Sequence, residues 1–330
     1  MTKISKKLKI AVLMGGVSAE REVSLVTGKA VFDNLDRKKY LPTLVEMTKD
    51  GRFFAIRKNG KKLIDLQNKD RKMFDVIFIA LHGTVGEDGG VQGMFESLGI
   101  KYTGPGILAS ALAMNKVYSA QIYFANNLPY PEFIHFKKDG WKRDSGKIMD
   151  DIANKIGFPL VIKPVDQGSA VGVNIIKFKE ELKKIIDKSL KTFPWLMAQK
   201  FIKGKEATCG VLEKNNEIIA LPPTHILPNL GKFYDYKSKY SVGGSTHICP
   251  ADFGENINLE IQKLAVMAHK ALNCKGMSRT DIFVGDDKHL YILETNTIPG
   301  MTPTSLFPEA AARAGIDFAV MLDYIIKASL

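Results

Sequence analysis

Three oxygen-bearing side chains stand on two neighbouring apolar runs late in the sequence: Asp281 in SRTDIFV (278–284), and Glu294 and Asn296 in HLYILETN (289–296). Strand side chains alternate between faces, so Glu294 and Asn296 share one face, and a four-residue turn at 286–289 places Asp281 opposite Glu294. Facing carboxylates repel unless a cation lies between them. Two carboxylates and an amide oxygen suit magnesium, which completes its shell with water and phosphate oxygens; a solvated hairpin with its charges turned outward accounts for the same residues. Arg279 falls on the face of Asp281, either as its structural ion-pair partner or as a clamp on a reacting oxygen.

Lys163 ends the run PLVIKP (159–164) and precedes DQGSAVG (166–172), where Gly168 and Gly172 let backbone amides approach an anion. The spacing is not that of a Walker A loop, and a hairpin turn explains the glycines equally well. With a metal cluster downstream, the balance tips toward a nucleotide. Glu20 lies where a helix begins after Gly15-Gly16, either as a plain helix-start charge stabilised by the dipole or as an anchor for a substrate ammonium. GGVSAE lacks the G-x-G-x-x-G spacing of a dinucleotide site. His82 directly follows a strand end, where ligands gather in open α/β sheets.

The elements that must position these groups follow from periodicity. Residues 8–14 (LKIAVLM) read as a buried strand, Ser18 as the N-cap of a helix to about residue 35, and 75–81 (DVIFIAL) as a second buried strand ahead of a helix at 91–98. This predicts a parallel sheet flanked by helices. Helical spacing continues from 107 to 126. Strands at 159–164, 171–177 and 195–202 surround a helix at 179–191. Then come a hairpin around Asn215-Asn216, a long polar and aromatic loop at 228–249, a helix at 256–273, the acidic hairpin and a terminal helix from about Pro308.

The 330 residues are 45% hydrophobic and 25% charged, enough for a large core in two or three domains. The N-terminus reads as neither a secretory signal nor a membrane span, so the cytoplasm is the expected compartment. Cys209, Cys249 and Cys274 have neither zinc-site nor disulfide-scaffold spacing and are expected to be reduced, mostly buried thiols. The net charge of +12 comes from lysines scattered along the chain, a solvated surface rather than a nucleic-acid footprint.

GGVSAEREVSL (15–25), ALHGTVGEDGGVQG (80–93), YTGPG (102–106), MNKVYS (114–119), FYDYKSKY (233–240), GMSRTDIF (276–283) and LETNTIPGMTPTSL (293–306) together resemble the D-alanine:D-alanine ligases, an ATP-grasp family. The resemblance runs over essentially the whole chain in the family's order. It implies a mixed α/β and α+β fold with three-domain ATP-grasp architecture: an N-terminal parallel-sheet substrate domain (1–104), a central ATP-grasp domain (105–202) and a C-terminal one (203–330) carrying the 228–249 loop as a lid. It also implies ATP-dependent formation of D-alanyl-D-alanine for peptidoglycan, by a cytoplasmic homodimer with no nucleic-acid or membrane partner.

The resemblance further implies roles residue by residue. Lys116 and Lys163 would meet the ATP phosphates beside Gly168 and Ser169. Gln199, Lys200, Phe201, Ile202, Glu206 and Phe233 would surround adenine and ribose, and Lys239 would also reach the nucleotide. Asp281, Glu294 and Asn296 would hold two magnesium ions, replaceable by manganese. Glu20 would take the ammonium of the first D-alanine, near Val23 and His82; Lys239, Tyr240, Ser305 and Leu306 would orient the second. Arg279 and the N–H of Gly300 would face the developing oxyanion, while Tyr240, Ser169 and Glu20 would latch the lid. Gln199 stands where the family often has glutamate, Phe201 where tryptophan is common, Asn115 where aspartate is frequent, and DQGSA replaces a glutamate-containing loop; this implies altered hydrogen bonding in an adenine pocket of unchanged shape.

Overall fold

The computed structural model describes residues 6–168, 170–229, 244–302 and 304–330. Three sheets organise the chain. The first has the order β4-β3-β2-β1-β5, formed by β1 (Leu8–Gly15), β2 (Tyr40–Met47), β3 (Phe53–Arg57), β4 (Gly60–Ile64) and β5 (Val76–Ile79). Both neighbours of β1 run parallel to it, as the buried run at 8–14 predicts, but β3 and β4 add an antiparallel hairpin. The sheet is therefore mixed. β4 escapes detection in the sequence because GKKLI is exposed in four of its five positions and carries no apolar alternation. Helix α1 (Arg21–Asn34) packs on β1, and α2 (Gly90–Ser97) follows the loop after β5.

Ser18 does not cap α1: the N-cap position is Glu20, while Ser18 Oγ accepts from the Glu20 N–H at 3.1 Å and donates to the His82 carbonyl at 2.6 Å. The predicted helical stretch at 107–126 is two helices, α3 (Ile107–Met114) and α4 (Lys116–Ala125). Asn115 makes the break. Its extended backbone stops α3, and its side chain accepts from the N–H groups of Val117 and Tyr118 at the start of α4.

The second sheet, order β6-β9-β7-β8, comprises β6 (Phe133–Lys137), β7 (Leu160–Pro164), β8 (Asn174–Ile176) and β9 (Trp195–Lys200). Helices α5 (Lys138–Arg143), α6 (Ser145–Lys155) and α7 (Lys179–Ser189) accompany it. Ile152, Leu182 and Ile186 bury completely beside Leu160, Ile162, Leu196 and Ala198.

The third sheet joins β10 (Gly204–Lys214), β11 (Glu217–Ala220), β12 (Thr224–Pro228), β13 (Ser245–Ile248), β14 (Met277–Gly285) and β15 (Leu290–Asn296), in the order β13-β12-β10-β14-β15 with β11 on β10. Asn215 and Asn216 both have positive φ, 52° and 69°, the turn geometry that closes the β10–β11 hairpin. The 228–249 segment is not a loop throughout, since Ser245–Ile248 pairs with β12. Helix α8 (Glu255–Ala271) covers one face of the sheet together with α3 and α4. Helices α9 (Leu306–Arg313) and α10 (Phe318–Lys327) close the chain. Phe307, Met321, Leu322, Ile325 and Ile326 share one core with Ile10, Leu13 and Phe78 of the first sheet. Among the described residues no helix is long and apolar enough to cross a membrane.

Candidate active site

The acidic hairpin forms as its spacing predicts, by a different route. Asp281 is paired directly with Glu294, and Arg279 with Asn296. Beyond Asp281 the register slips, so that Ile282 faces Ile292 and Leu293 is the extra residue of a bulge. The turn is one residue longer than four, with the Gly285 N–H donating to the His289 carbonyl at 2.8 Å, and the bulge restores the opposition of the two acids. Asp281 is 3% exposed and accepts from Arg279 Nε and Nη2, both at 3.0 Å, from Thr208 Oγ1 at 2.6 Å and from Asn296 Nδ2 at 3.1 Å. Lys116 Nζ lies 3.2 Å from Glu294 Oε2. Each acid is thus paired with a cation from its own chain, which offsets much of the cost of burying it.

Asp281 and Glu294 also line a cavity of about 970 Å³ with Lys116, Lys163, Gln199, Lys200, Phe201, Ile202 and Glu206. The cavity separates the second sheet from the third. Lys116 enters from the start of α4 and donates to the Gln167 carbonyl at 2.6 Å; Lys163 enters from the end of β7 and donates to Gln199 Oε1 at 2.8 Å. Burial, reinforced by the Lys116 charge and partly opposed by Glu294, pushes the Lys163 ammonium down to about 7. Gln199, one of the departures noted in the sequence, is thus the partner of Lys163, and Asn115, another, caps the helix that carries Lys116. Gly168 has open space around its α-carbon, whereas Gly172, at φ +74°, would bring a Cβ to within 2.7 Å of Phe193 and 2.8 Å of Pro164. Only glycine suits that corner.

A second group gathers where the first sheet's loops meet Arg279. Glu20 stands at the N-terminus of α1, and a Cβ on Gly83 would lie 2.7 Å from its Oε2. Arg21 anchors the same turn, donating to the carbonyls of Gly16 at 3.1 Å and Met47 at 2.7 Å and to Glu46 at 2.6 Å. Val23, one turn into α1, is half-buried. His82 Nε2 is 2.9 Å from Thr27 Oγ1, and burial holds its pKa down to about 4, opposed by the Glu20 charge. Glu87, which sequence reasoning passed over, accepts the Gly83 N–H at 2.7 Å; burial, with the negative charge of Glu20, pushes its carboxyl up to about 8. The available signal was an acid inside the glycine run HGTVGEDGG. The Arg279 charge acts on both His82 and Glu87. It is also the partner of Asp281, so the two groups form one site.

Gly300 and Ser305 meet as well: a Cβ on Gly300 would lie 2.9 Å from Ser305 Oγ, which accepts from the Thr302 N–H at 3.0 Å. Leu306, first residue of α9, is buried. Ser169, Phe233, Lys239 and Tyr240 lie outside the described residues. Cys209, Cys249 and Cys274 are free and buried, as expected.

The family model "D-ala D-ala ligase C-terminus" matches residues 122–327, and "D-ala D-ala ligase N-terminus" matches residues 9–105. The chain belongs to the D-alanine-D-alanine ligase family. Within that family it is 43% identical to the D-alanine-D-alanine ligase of Syntrophobacter fumaroxidans, over 99% of each chain, and 40% identical to that of Pelotomaculum thermopropionicum, over 98% of this chain and 97% of the relative. Among solved structures it resembles VanG D-Ala:D-Ser ligase from Enterococcus faecalis (TM-score 0.86, 30% identity, 98% of this chain and all of that one). It also resembles the Bacillus anthracis D-alanine-D-alanine ligase complexed with ATP (TM-score 0.78, 33% identity, 98% and 97% covered). Family membership accounts for the three-sheet architecture around the cavity. It leaves the role of each side chain to be argued from the geometry above.

Proposed function

We propose that this protein cleaves ATP to join two D-alanine molecules into the dipeptide used for peptidoglycan, working in the cytoplasm as a homodimer. The observation that carries the reading is Arg279. It is bonded to Asp281 on the cavity side, and its charge reaches His82 and Glu87 beside Glu20 on the other, so an amino acid at Glu20 and a nucleotide at the lysines would share it.

A carboxylate has no usable leaving group, so an amine cannot displace oxide from it without prior activation. In this reading a carboxylate oxygen of the first D-alanine, its ammonium held by Glu20, attacks the γ-phosphorus; the new O–P bond forms, the bond to the β-phosphate oxygen breaks and ADP is released. Lys116 and Lys163 neutralise the phosphate oxygens. Asp281, Glu294 and the Asn296 amide oxygen are a hard-oxygen set that fits magnesium, or manganese, and would hold two such ions, which when bound would neutralise further phosphate charge. The neutral amine of the second D-alanine, oriented by Ser305, Leu306 and Lys239, then attacks the acyl phosphate carbonyl. Arg279 and the Gly300 N–H stabilise the oxyanion, the carbon–oxygen bond to phosphate breaks, and phosphate leaves with the amine's proton passing to solvent. Ser169 and Tyr240 belong to the same proposal as groups that latch the closed site with Glu20, and Gln199, Lys200, Phe201, Ile202, Glu206 and Phe233 as the adenosine pocket. So does the division at 104 and 202, although α3 and α4 pack on the third sheet.

The likeness to VanG D-Ala:D-Ser ligase gives one specific alternative, D-serine in the second position. Phosphate release from magnesium ATP, measured with D-alanine, L-alanine, D-serine and D-lactate singly and in pairs and followed by mass analysis of the product, tests both. D-alanyl-D-alanine should dominate; phosphate release that ignores the stereochemistry of alanine would overturn the reading.

A further inference from the structure

His247 makes a link that the ligation chemistry above leaves unused. Directly paired residues of antiparallel strands share a face, so Glu206, Ile226 and His247 lie on one side of the third sheet, the side whose Glu206 and Ile226 line the cavity. From β13, His247 reaches α9: its Nδ1 is 2.9 Å from Glu309 Oε2, and its Nε2 is 3.0 Å from Ser245 Oγ. Both ring nitrogens are thereby committed, and the pair is mostly covered, with side chains 18% and 29% exposed. Glu309 is one helical turn from Ser305, its N–H donating to the Ser305 carbonyl at 3.2 Å. Ser305 in turn abuts Gly300. Lys239 and Tyr240 precede β13 in the sequence, so this one contact joins the strand that follows them to the helix that begins with Ser305 and Leu306.

We propose that the His247–Glu309 pair is a positioning device for the acceptor amino acid, fixing the first turn of α9 against β13 so that Ser305 and Leu306 meet the second D-alanine in register. The proposal rests on the ligation reading. Among the described residues no hydrogen bond or ion pair joins either side chain to the cavity's lysines or the acidic hairpin, so the effect falls on one substrate. His247→Ala and Glu309→Ala should each raise the KM for the acceptor D-alanine roughly tenfold, because small misplacements of an orienting group are costly, while the KM for ATP moves less than about twofold. The double variant should be no worse than either single one, since both remove the same link. His247→Asn, whose amide can still reach Glu309, should recover most of the loss, and Glu309→Gln likewise; these near-isosteric variants also keep the test valid should an alanine variant fold poorly. The measurement is steady-state phosphate release with the two D-alanine constants resolved from the concentration dependence, starting from the unmodified enzyme. Additive effects, an equal rise in the KM for ATP, or an unmoved acceptor KM with turnover intact would overturn this proposal alone. Absence of D-alanine-dependent turnover in the unmodified enzyme would overturn the ligation reading and this proposal with it.

Discussion

Lys163 should make nucleotide binding take up a proton. Its ammonium, buried near the Lys116 charge, hydrogen-bonded to the neutral Gln199 amide at 2.8 Å and only partly compensated by Glu294, has its pKa pushed down to about 7 from the ordinary 10.5. Only the protonated form helps to hold a phosphate, so the contribution of Lys163 is complete below about pH 7 and fades as the pH rises through that value. At pH 7.5 about a quarter of free enzyme is protonated there and at pH 8 about a tenth, so ATP should draw in roughly 0.75 and 0.9 protons and lose up to about tenfold in affinity per pH unit. Gln199→Glu would place a carboxylate at the same 2.8 Å, an attraction of about 6 kcal/mol at an effective dielectric of about 20. If half of that goes to burying the new acid, Lys163 rises to about 9 and stays charged through pH 8. Titration calorimetry with magnesium ATP in buffers of differing ionisation heat, on both proteins, gives the uptake; the nucleotide's own protons cancel in the difference. Equal uptake by the two proteins, or ATP affinity flat from pH 6.5 to 8.5 in both, would refute the reasoning.

Asp281→Asn and Glu294→Gln should each reduce turnover by roughly 10²-fold or more with the parent's circular dichroism kept, because in the proposed reading the lost charge holds the metal, and Asp281→Asn should also lower Tm by leaving the covered Arg279 guanidinium without its carboxylate. Arg279→Ala should lower kcat by about 10² with ATP affinity, measured by calorimetry, largely kept; unchanged kcat would reduce Arg279 to the partner of Asp281. Gly172→Ala must place a Cβ against Phe193 and Pro164 at positive φ and should destabilise by roughly 2–3 kcal/mol in urea unfolding, against which a change under about 0.5 kcal/mol would count.

What the sequence disclosed depended on whether the information was local. The opposition of Asp281 and Glu294 follows from alternation along two strands joined by a short turn, although a bulge at Leu293 and a longer turn cancel to give it. The break between α3 and α4 was hidden because both halves carry helical spacing and only the side chain of Asn115 interrupts them. Edge strands β4 and β13 are short and mostly polar, so neither shows apolar alternation, and β12, the partner of β13, lies well back in the sequence. The same holds within the site. Glu20 and Lys163 were readable as chemistry-bearing types, but the contact of Lys116 with Glu294 and the reach of the Arg279 charge to the first-sheet loops span far more chain than any periodicity reports.

The core shared by the first sheet and the last two helices sets an order of events during synthesis. Ile10 and Leu13 are made roughly 300 residues before Ile325 and Ile326, yet they are buried together. Until α10 emerges, the first-sheet residues that share its core lack that cover, and the nascent chain carries their apolar surface while the intervening residues are made. The family's opening motif at Gly15-Gly16 and Glu20 stands on that sheet. Synthesis of α10, rather than completion of the first sheet, is the step that gives the Glu20 end of the site its full core.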